Sequence, residues 1–448
     1  MREGYLKLGG NVLNKINNIK QNKVANKMIK NAGWLLSDKL FSMIIGVVVI
    51  AIVARYFGPE NFGRYQFALS FVTLFTAIST LGLETLTVKA LLDRKFDQGT
   101  IICTSLFMRV LGGSLLTLMA TFTIRLIEPN DSSIHLMVGI MSLTMVLKSL
   151  EVIEYWIQSL QKAKISSIIR MVAYVLSAGL KLGIVIFEGS IVLYSLIYLF
   201  DAIIVGLGLL LAYIKFNETK SKWKIELTYA KDILSKSWYL ILTGLMVTVY
   251  TKIDQIMLGS MLSSMEEVGI YSAAVSIATM WYFVPTAIIT AFRPVIIGYK
   301  NNNKRKYFKS IQQLYSIIAW TGIVIGIVIF LLSDIIIEIL YGPNYSDAAN
   351  ILSISIWAGT FAMLGSARGI WLICEGLQKY SLFYIGTGAI INISLNIVLI
   401  PSWGGIGAAY GTLISQLIVA LIAPLFIKET RISSIMMLKA FLFKGIKE

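Results

Sequence analysis

One histidine, two cysteines and seven prolines in 448 residues leave little from which to build a metal site, a disulfide framework or a hydrolytic centre. His135 stands alone, so no H-E-x-x-H helix can form, and no glycine-rich nucleotide loop is present. Cys103 and Cys374 both fall inside apolar runs, where they read as small buried hydrophobes rather than a disulfide or metal pair. Charge is scarce too, at 14% of residues. No segment of soluble-domain size lies between the apolar runs, so an ATP-driven pump has no room for its nucleotide domain.

What remains is apolar. Hydrophobic residues make up 56% of the chain, and the mean hydropathy is +0.75. Runs long enough to cross ~30 Å of hydrocarbon, about 20 residues each, recur along nearly the whole length. The longest uncharged stretch, 380–427, is 48 residues, two crossings joined at "PSWGG". The first 31 residues are basic and polar, without the apolar core and small-residue cleavage site of a signal peptide, and are expected to stay on the protein.

Twelve transmembrane helices are predicted, at 32–56, 64–92, 100–127, 134–160, 164–187, 190–214, 233–261, 268–297, 311–333, 348–375, 380–400 and 404–427. With the N-terminus inside, 27 of the 40 Lys and Arg fall in cytoplasmic segments and none in the six outward loops. That bias predicts two cytoplasmic termini. The net charge of +16 is therefore a record of topology and does not point to nucleic acid. Both tails, "INNIKQNKVANKMIK" and "ISSIMMLKAFLFKGIKE", mix apolar and basic residues as an interfacial helix or a disordered basic tail would.

A motif repeats. Glu60, Gly63, Tyr65 and Ala68 fit E-x-x-G-x-Y-x-x-A, and Glu266, Gly269, Tyr271 and Ala274 fit it again 206 residues later. "LQK" recurs in step, at 160–162 and 377–379, each time at the inner end of the fourth helix of its half. The echoes predict a duplicated six-helix unit whose halves are related by an axis along the membrane normal. The domains expected are a basic segment 1–31, an N-lobe 32–214, a linker 215–232, a C-lobe 233–427 and a tail 428–448. Two parallel-related six-helix bundles around a central cavity are the architecture of an alternating-access transporter.

Thirteen Lys and Arg remain in or at the edges of spans. Arg55, Arg64, Arg125 and Lys236 lie near helix ends, where snorkelling accounts for them. The deeper ones each cost roughly 2.5 to 3.5 kcal/mol near a helix centre on insertion scales and need a reason. Helical spacing supplies one: the fifth helix aligns Arg170, Tyr174, Ser177 and Lys181, the fourth aligns Lys148, Glu151, Glu154 and Gln158, the eighth ends its stripe on Arg293, and the tenth aligns Thr360 with Arg368. Such stripes face a watery cavity or glue helices together. Lys148, Arg170, Lys181, Lys252, Arg293 and Arg368 are the candidate substrate-binding residues. Asp38, Lys39, Glu151, Glu154, Asp201 and Asp254 are the candidates for coupling or charge pairing. A basic excess persists after pairing, and an anionic, phosphate-bearing substrate would suit it. Pro285 and Pro294 are expected to bend the eighth helix.

The segments "NAGWLLSDKLFSMIIGVVVIAIVARYFGPENFGRYQFALSF", "KIDQIMLGSMLSSMEEVGIYSAAVSIA", "LYGPNYSDAANIL" and "NISLNIVLIPSWGGIGAAYGTLIS" resemble, in order and over nearly the whole chain, the bacterial polysaccharide exporters. These include the O-antigen flippases of the multidrug/oligosaccharidyl-lipid/polysaccharide superfamily. The resemblance implies two six-helix bundles in a V, residence in the bacterial cytoplasmic membrane, and carriage of undecaprenyl-diphosphate-linked oligosaccharide from inner to outer leaflet. It implies membrane lipids and the polysaccharide polymerase machinery as further partners. The related lipid II flippases carry an Arg-Asp pair before "VARYFG"; here Val49 and Ile50 stand there, so those binding residues do not transfer. No cofactor is expected, and coupling to protons, sodium or the membrane potential stays open. The alternatives are a multidrug or small-metabolite exporter, which would favour a more acidic cavity, and a polysaccharide polymerase or ligase, which would need a sizeable outward loop.

Overall fold

The structure, a computed structural model, describes residues 23–217, 222–262 and 264–442, and every regular element in them is helical. Ten helical stretches among these residues are long and apolar enough to cross a membrane. Two of the ten, Phe41–Asp93 and Lys379–Leu425, run to 53 and 47 residues. Each is more than twice what one crossing needs. In helix α1 (Lys23–Ser79) the helical path is interrupted at Gly58, with φ 71° and ψ 169°, immediately before Pro59. In α13 (Lys379–Leu417) the interruption is Gly404, φ 52°. A residue without Cβ takes this left-handed backbone at little cost, and a proline just after Gly58 starts the next helical run with its missing N–H unneeded. The sequence reading places an outward turn at each point, and one glycine makes it.

The other helices are α2 (Leu83–Asp93), α3 (Gln98–Ile127), α4 (Ser132–Ser142), α5 (Val152–Ser159), α6 (Ala163–Ile186) and α7 (Ile191–Phe216) in the first half. The second half has α8 (Leu227–Met261), α9 (Glu266–Met280), α10 (Phe283–Asn302), α11 (Lys304–Tyr341), α12 (Ala348–Glu375), α13 and α14 (Arg431–Ala440). Several helices expected to be continuous are broken. The second breaks at Thr80–Gly82, the fourth passes through a 3-10 turn at Lys148–Glu151, and the last passes into a π-helix at Ile418–Ile422. Apolar periodicity runs across all three, so hydropathy does not mark them. The eighth breaks at Trp281–Tyr282, four residues before the proline that cannot donate to the Trp281 carbonyl.

Three apolar cores organise the molecule. One joins both halves and draws on Val53, Phe62, Phe71, Ile134, Tyr194, Val268, Tyr271, Tyr341 and Ala408. A second lies in the first half and takes in the start of α8, around Leu83, Ile102, Ile153, Trp156, Tyr213 and Tyr229. A third lies within the second half, around Tyr307, Tyr315, Leu364, Trp371 and Met437. The shared core is built from helix ends next to the turns that hold no Lys or Arg, and the separate cores from ends next to the Lys- and Arg-rich segments. Apolar side chains such as Leu118, Phe122, Leu126 and Leu331 stand exposed on the periphery, as a multi-pass membrane protein requires.

The sequence reading expects a linker over 215–232. Residues 227–232 are the first turns of α8, and Tyr229 and Ile233 are buried in the first-half core. The Thr104 hydroxyl fixes the join, accepting from the Glu226 N–H at 3.0 Å and donating to the Lys224 carbonyl at 3.4 Å. Lys224 beside Glu226 holds its carboxyl below the usual range. At the other end, α14 is tied down by Tyr315 to Ser433 (2.9 Å) and Gln312 to the Met436 carbonyl (3.0 Å). The rest of the tail from 443, and residues 1–22 of the basic segment, lie outside the described residues.

Candidate functional site

The two copies of the repeated motif pack on each other. A Cβ placed on Gly63 would sit 1.8 Å from the Met265 carbonyl oxygen and 2.9 Å from the Gly269 nitrogen. One on Gly269 would sit 2.0 Å from the Pro59 oxygen and 3.1 Å from the Gly63 nitrogen. Pro59 and Met265 are themselves 206 residues apart, so α1 and α9 cross symmetrically, backbone against backbone. Hydrogen bonds extend the seam. The Ser70 hydroxyl donates to the Gln255 carbonyl oxygen, and the Gln255 amide donates to Ser272 at 3.0 Å. Ser264 donates to Glu60 at 3.1 Å, and the Tyr345 hydroxyl donates to the Ala54 carbonyl at 2.9 Å. Arg55 donates to the Glu338 and Ile339 carbonyls at 2.8 and 2.7 Å, at the end of α11 where the helix dipole favours a cation. Snorkelling therefore does not describe Arg55; it ties the halves together.

Beside this seam a cavity of about 580 Å³ opens between the halves. Its wall includes Ser42 and Gly46 of α1, Tyr174 of α6, Thr279 of α9, and Tyr282 and Thr286 around the start of α10. Among the described residues no Lys, Arg, Asp or Glu lines it. The cations of the polar stripes stand outside this wall.

In the first half, Lys148 donates to the Tyr198 hydroxyl at 3.1 Å and lies 5.0 Å from the centre of its ring. Lys181 stands 5.9 Å from the Tyr194 ring centre and lines a small niche that shares Gly46, Ile50 and Tyr174 with the main cavity. Asp201 accepts from Ser177 at 2.8 Å. Arg170 is gripped by both oxygens of Glu154, and Glu151 stands 3.6 Å away. Glu151 also takes Arg109 at 3.4 Å. Arg109, 1% exposed, donates to Tyr155 at 3.0 Å as well, a role its place among thirteen span cations does not reveal. Arg170, Glu151, Glu154 and Tyr155 border a second cavity of about 320 Å³.

The second half behaves differently. Asp254 is buried and accepts from Tyr271 (2.5 Å), Asn396 (2.7 Å) and Thr412 (2.6 Å). Lys252 donates to Gln255 at 3.4 Å, which places it against the seam. Arg293 is exposed. Arg368 is 2% exposed, donates to the Val419 and Ala420 carbonyls, and lies 5.3 Å from the Tyr384 ring centre. It serves the π-helix, whose wider turn offers carbonyls to an outside donor, and has no place in either cavity wall. The side chains of Asp38 and Lys39 lie outside the described residues.

Sequence reasoning brings these polar residues into view but not their partners. Asn396 and Thr412 both belong to the quoted family segment "NISLNIVLIPSWGGIGAAYGTLIS", yet nothing in their spacing announces that they converge on Asp254.

Residues 28–300 match the family model described as "Polysaccharide biosynthesis protein", and residues 240–398 match the model described as "MatE". The chain is 21% identical over 410 residues to the capsular polysaccharide biosynthesis protein CapF of Staphylococcus aureus, covering 87% of this chain and 97% of that protein. It is 30% identical over 179 residues to a protein of Haloferax volcanii named "Probable flippase AglR", a match that spans 39% of this chain and 37% of that protein. In structure it is similar to the lipid II flippase MurJ in an inward closed conformation. There the TM-score is 0.73 at 16% identity, over 91% of this chain and 92% of that one. The likeness at that identity concerns the fold.

Proposed function

Because the chain belongs to the polysaccharide biosynthesis protein family of the multidrug/oligosaccharidyl-lipid/polysaccharide superfamily, membrane transporters and flippases rather than enzymes, we propose that it flips undecaprenyl-diphosphate-linked oligosaccharide from the inner to the outer leaflet. The halves act as two six-helix lobes, 32–214 and 233–427, with twelve crossings once the turns at Gly58 and Gly404 are counted, and with both termini cytoplasmic in a bacterial cytoplasmic membrane. They share one core, and the second half reaches the first again through the start of α8, where Tyr229 and Ile233 are buried; the cavity opens beside the shared core.

The observation that carries this reading is one face of α6. Arg170 borders the 320 Å³ cavity, Tyr174 lines the 580 Å³ cavity, and Lys181 lines the niche beside it. Steps of four, three and four residues keep all of them and Ser177 on one face. A diphosphate passing along that face meets a cation at each end. The sugars it carries meet the hydroxyls of Ser42, Thr279, Thr286 and Tyr282 in a cavity without fixed charge. The membrane potential favours outward passage of each negative charge by roughly 2.3 kcal/mol per 100 mV.

Deleting the gene tests this. Undecaprenyl-diphosphate-linked oligosaccharide is expected to accumulate on the cytoplasmic face, read by mass spectrometry and impermeant labelling, and to return to normal with the intact protein but not with Arg170→Ala. An unchanged pool and sidedness, in a strain without a second flippase, contradicts the proposal.

A further inference from the structure

We infer that Glu154, seconded by Glu151, is an internal stand-in for the substrate's phosphate: it occupies the guanidinium fork of Arg170 in the empty transporter and is displaced when the anionic head group binds. The inference rests on the flippase reading and adds how the site is regulated. It starts from a mismatch. The 320 Å³ cavity is bordered by Glu84, Glu151, Glu154, Tyr155, Gln158 and Arg170, three carboxylates to one guanidinium. A cavity with that balance repels an anion as it stands.

The geometry of the Arg170 contact resolves the mismatch. The Nε donates to Glu154 Oε1 at 3.3 Å while Nη2 donates to Oε2, two parallel bonds from one edge of the fork to one carboxylate. Phosphate is bound by guanidinium through the same two-point contact. Arg170 is not sealed in, since its side chain is 38% exposed toward the cavity while Glu154 is 11% exposed. The partner that can be replaced from the cavity side is therefore the carboxylate's grip on the fork. The other two carboxylates have partners of their own: Arg109, held by Tyr155, bonds Glu151, and the Gln158 amide donates to Glu84 at 3.2 Å. With the stand-in in place the empty site returns neutralised.

The test uses the purified full-length protein in nanodiscs and inorganic pyrophosphate as the probe, titrated by calorimetry. Glu154→Gln keeps the shape and removes the competing charge, so pyrophosphate should bind about tenfold tighter than to the wild type, the size expected when one charge-assisted contact no longer competes. Glu151→Gln should shift binding in the same direction by less, and serves as the second variant should Glu154→Gln fold poorly. Arg170→Lys keeps the charge but loses the fork, and in combination with Glu154→Gln should cancel the gain. Equal or weaker binding by both glutamine variants, or a gain that survives Arg170→Lys, overturns the inference. Failure of the flippase reading is distinguishable: unchanged lipid sidedness in cells with a pyrophosphate gain in Glu154→Gln leaves the stand-in intact, and normal flipping without that gain removes it alone.

Discussion

Gly269→Ala and Gly63→Ala are each expected to hold the outer side open. The methyl group added at Gly269 would meet the Pro59 carbonyl at 2.0 Å, and the one at Gly63 would meet the Met265 carbonyl at 1.8 Å. Real Cβ contacts do not come that close, and the obstacle in each case is backbone, which cannot swing aside as a flexible side chain can. The helices must therefore move apart, and the seam bonds Ser70 to Gln255 and Gln255 to Ser272 go with them. The check is labelling in whole cells of a cysteine placed at Ser272, with the two native cysteines replaced, using a membrane-impermeant thiol reagent. Ser272 is 1% exposed, so the parent should be protected and either alanine variant labelled several-fold faster. Equal protection would mean that the crossing tolerates a methyl group and is not the seal.

Asp254→Asn should abolish transport and lower stability more than any other change at a titratable residue of the second half. Its two oxygens accept from Tyr271 of α9 and from Asn396 and Thr412 on either side of the Gly404 break in α13. An amide in its place turns one acceptor into a donor facing another donor. Leaving a buried group unsatisfied costs about 1 to 3 kcal/mol, and Asp254→Ala, which orphans all three donors, should cost about 3 kcal/mol or more. Thermal unfolding of the purified variants measures this. The same cluster is the strongest place for an ion to couple, because the Oδ1 atoms of Asn392 and Asn396 are buried without a partner among the described residues. In vesicles, a proton or sodium gradient should accelerate transport by the parent and not by Asp254→Asn. Indifference of the parent to both gradients would assign the cluster to structure alone.

Much of this molecule is readable in its sequence, and the limits have physical causes. Hydropathy and the distribution of Lys and Arg reveal a polytopic helical protein because lipid forces every backbone polar group into a helix. The repeated E-x-x-G-x-Y-x-x-A motif is visible because the crossing of Gly63 and Gly269 admits no side chain, and a position that admits only glycine leaves a mark in one dimension. Polar stripes on α6 are visible for the same reason, one periodicity in one helix. Partners are another matter. Whether Arg170 faces a cavity or a carboxylate depends on Glu154, sixteen residues away on another helix, and Arg368 finds its carbonyls only because the last helix widens into a π-turn at 418–422. Arg55 reads as a helix-end cation near lipid head groups, and only the fold puts the end of α11 beside it. Charge content is legible in sequence, while charge pairing is a property of the assembled helices.

The most direct measurement of the central claim is made on the reconstituted protein. Proteoliposomes loaded with undecaprenyl-diphosphate-linked oligosaccharide in one leaflet are exposed to a glycan-cleaving enzyme that acts only on the other. Cleavage is predicted to exceed that in protein-free vesicles and to fall to the protein-free level with Arg170→Ala. Cleavage no greater than in protein-free vesicles, together with export of a fluorescent organic cation by the same preparation, would contradict the flippase account and make the chain a small-molecule exporter.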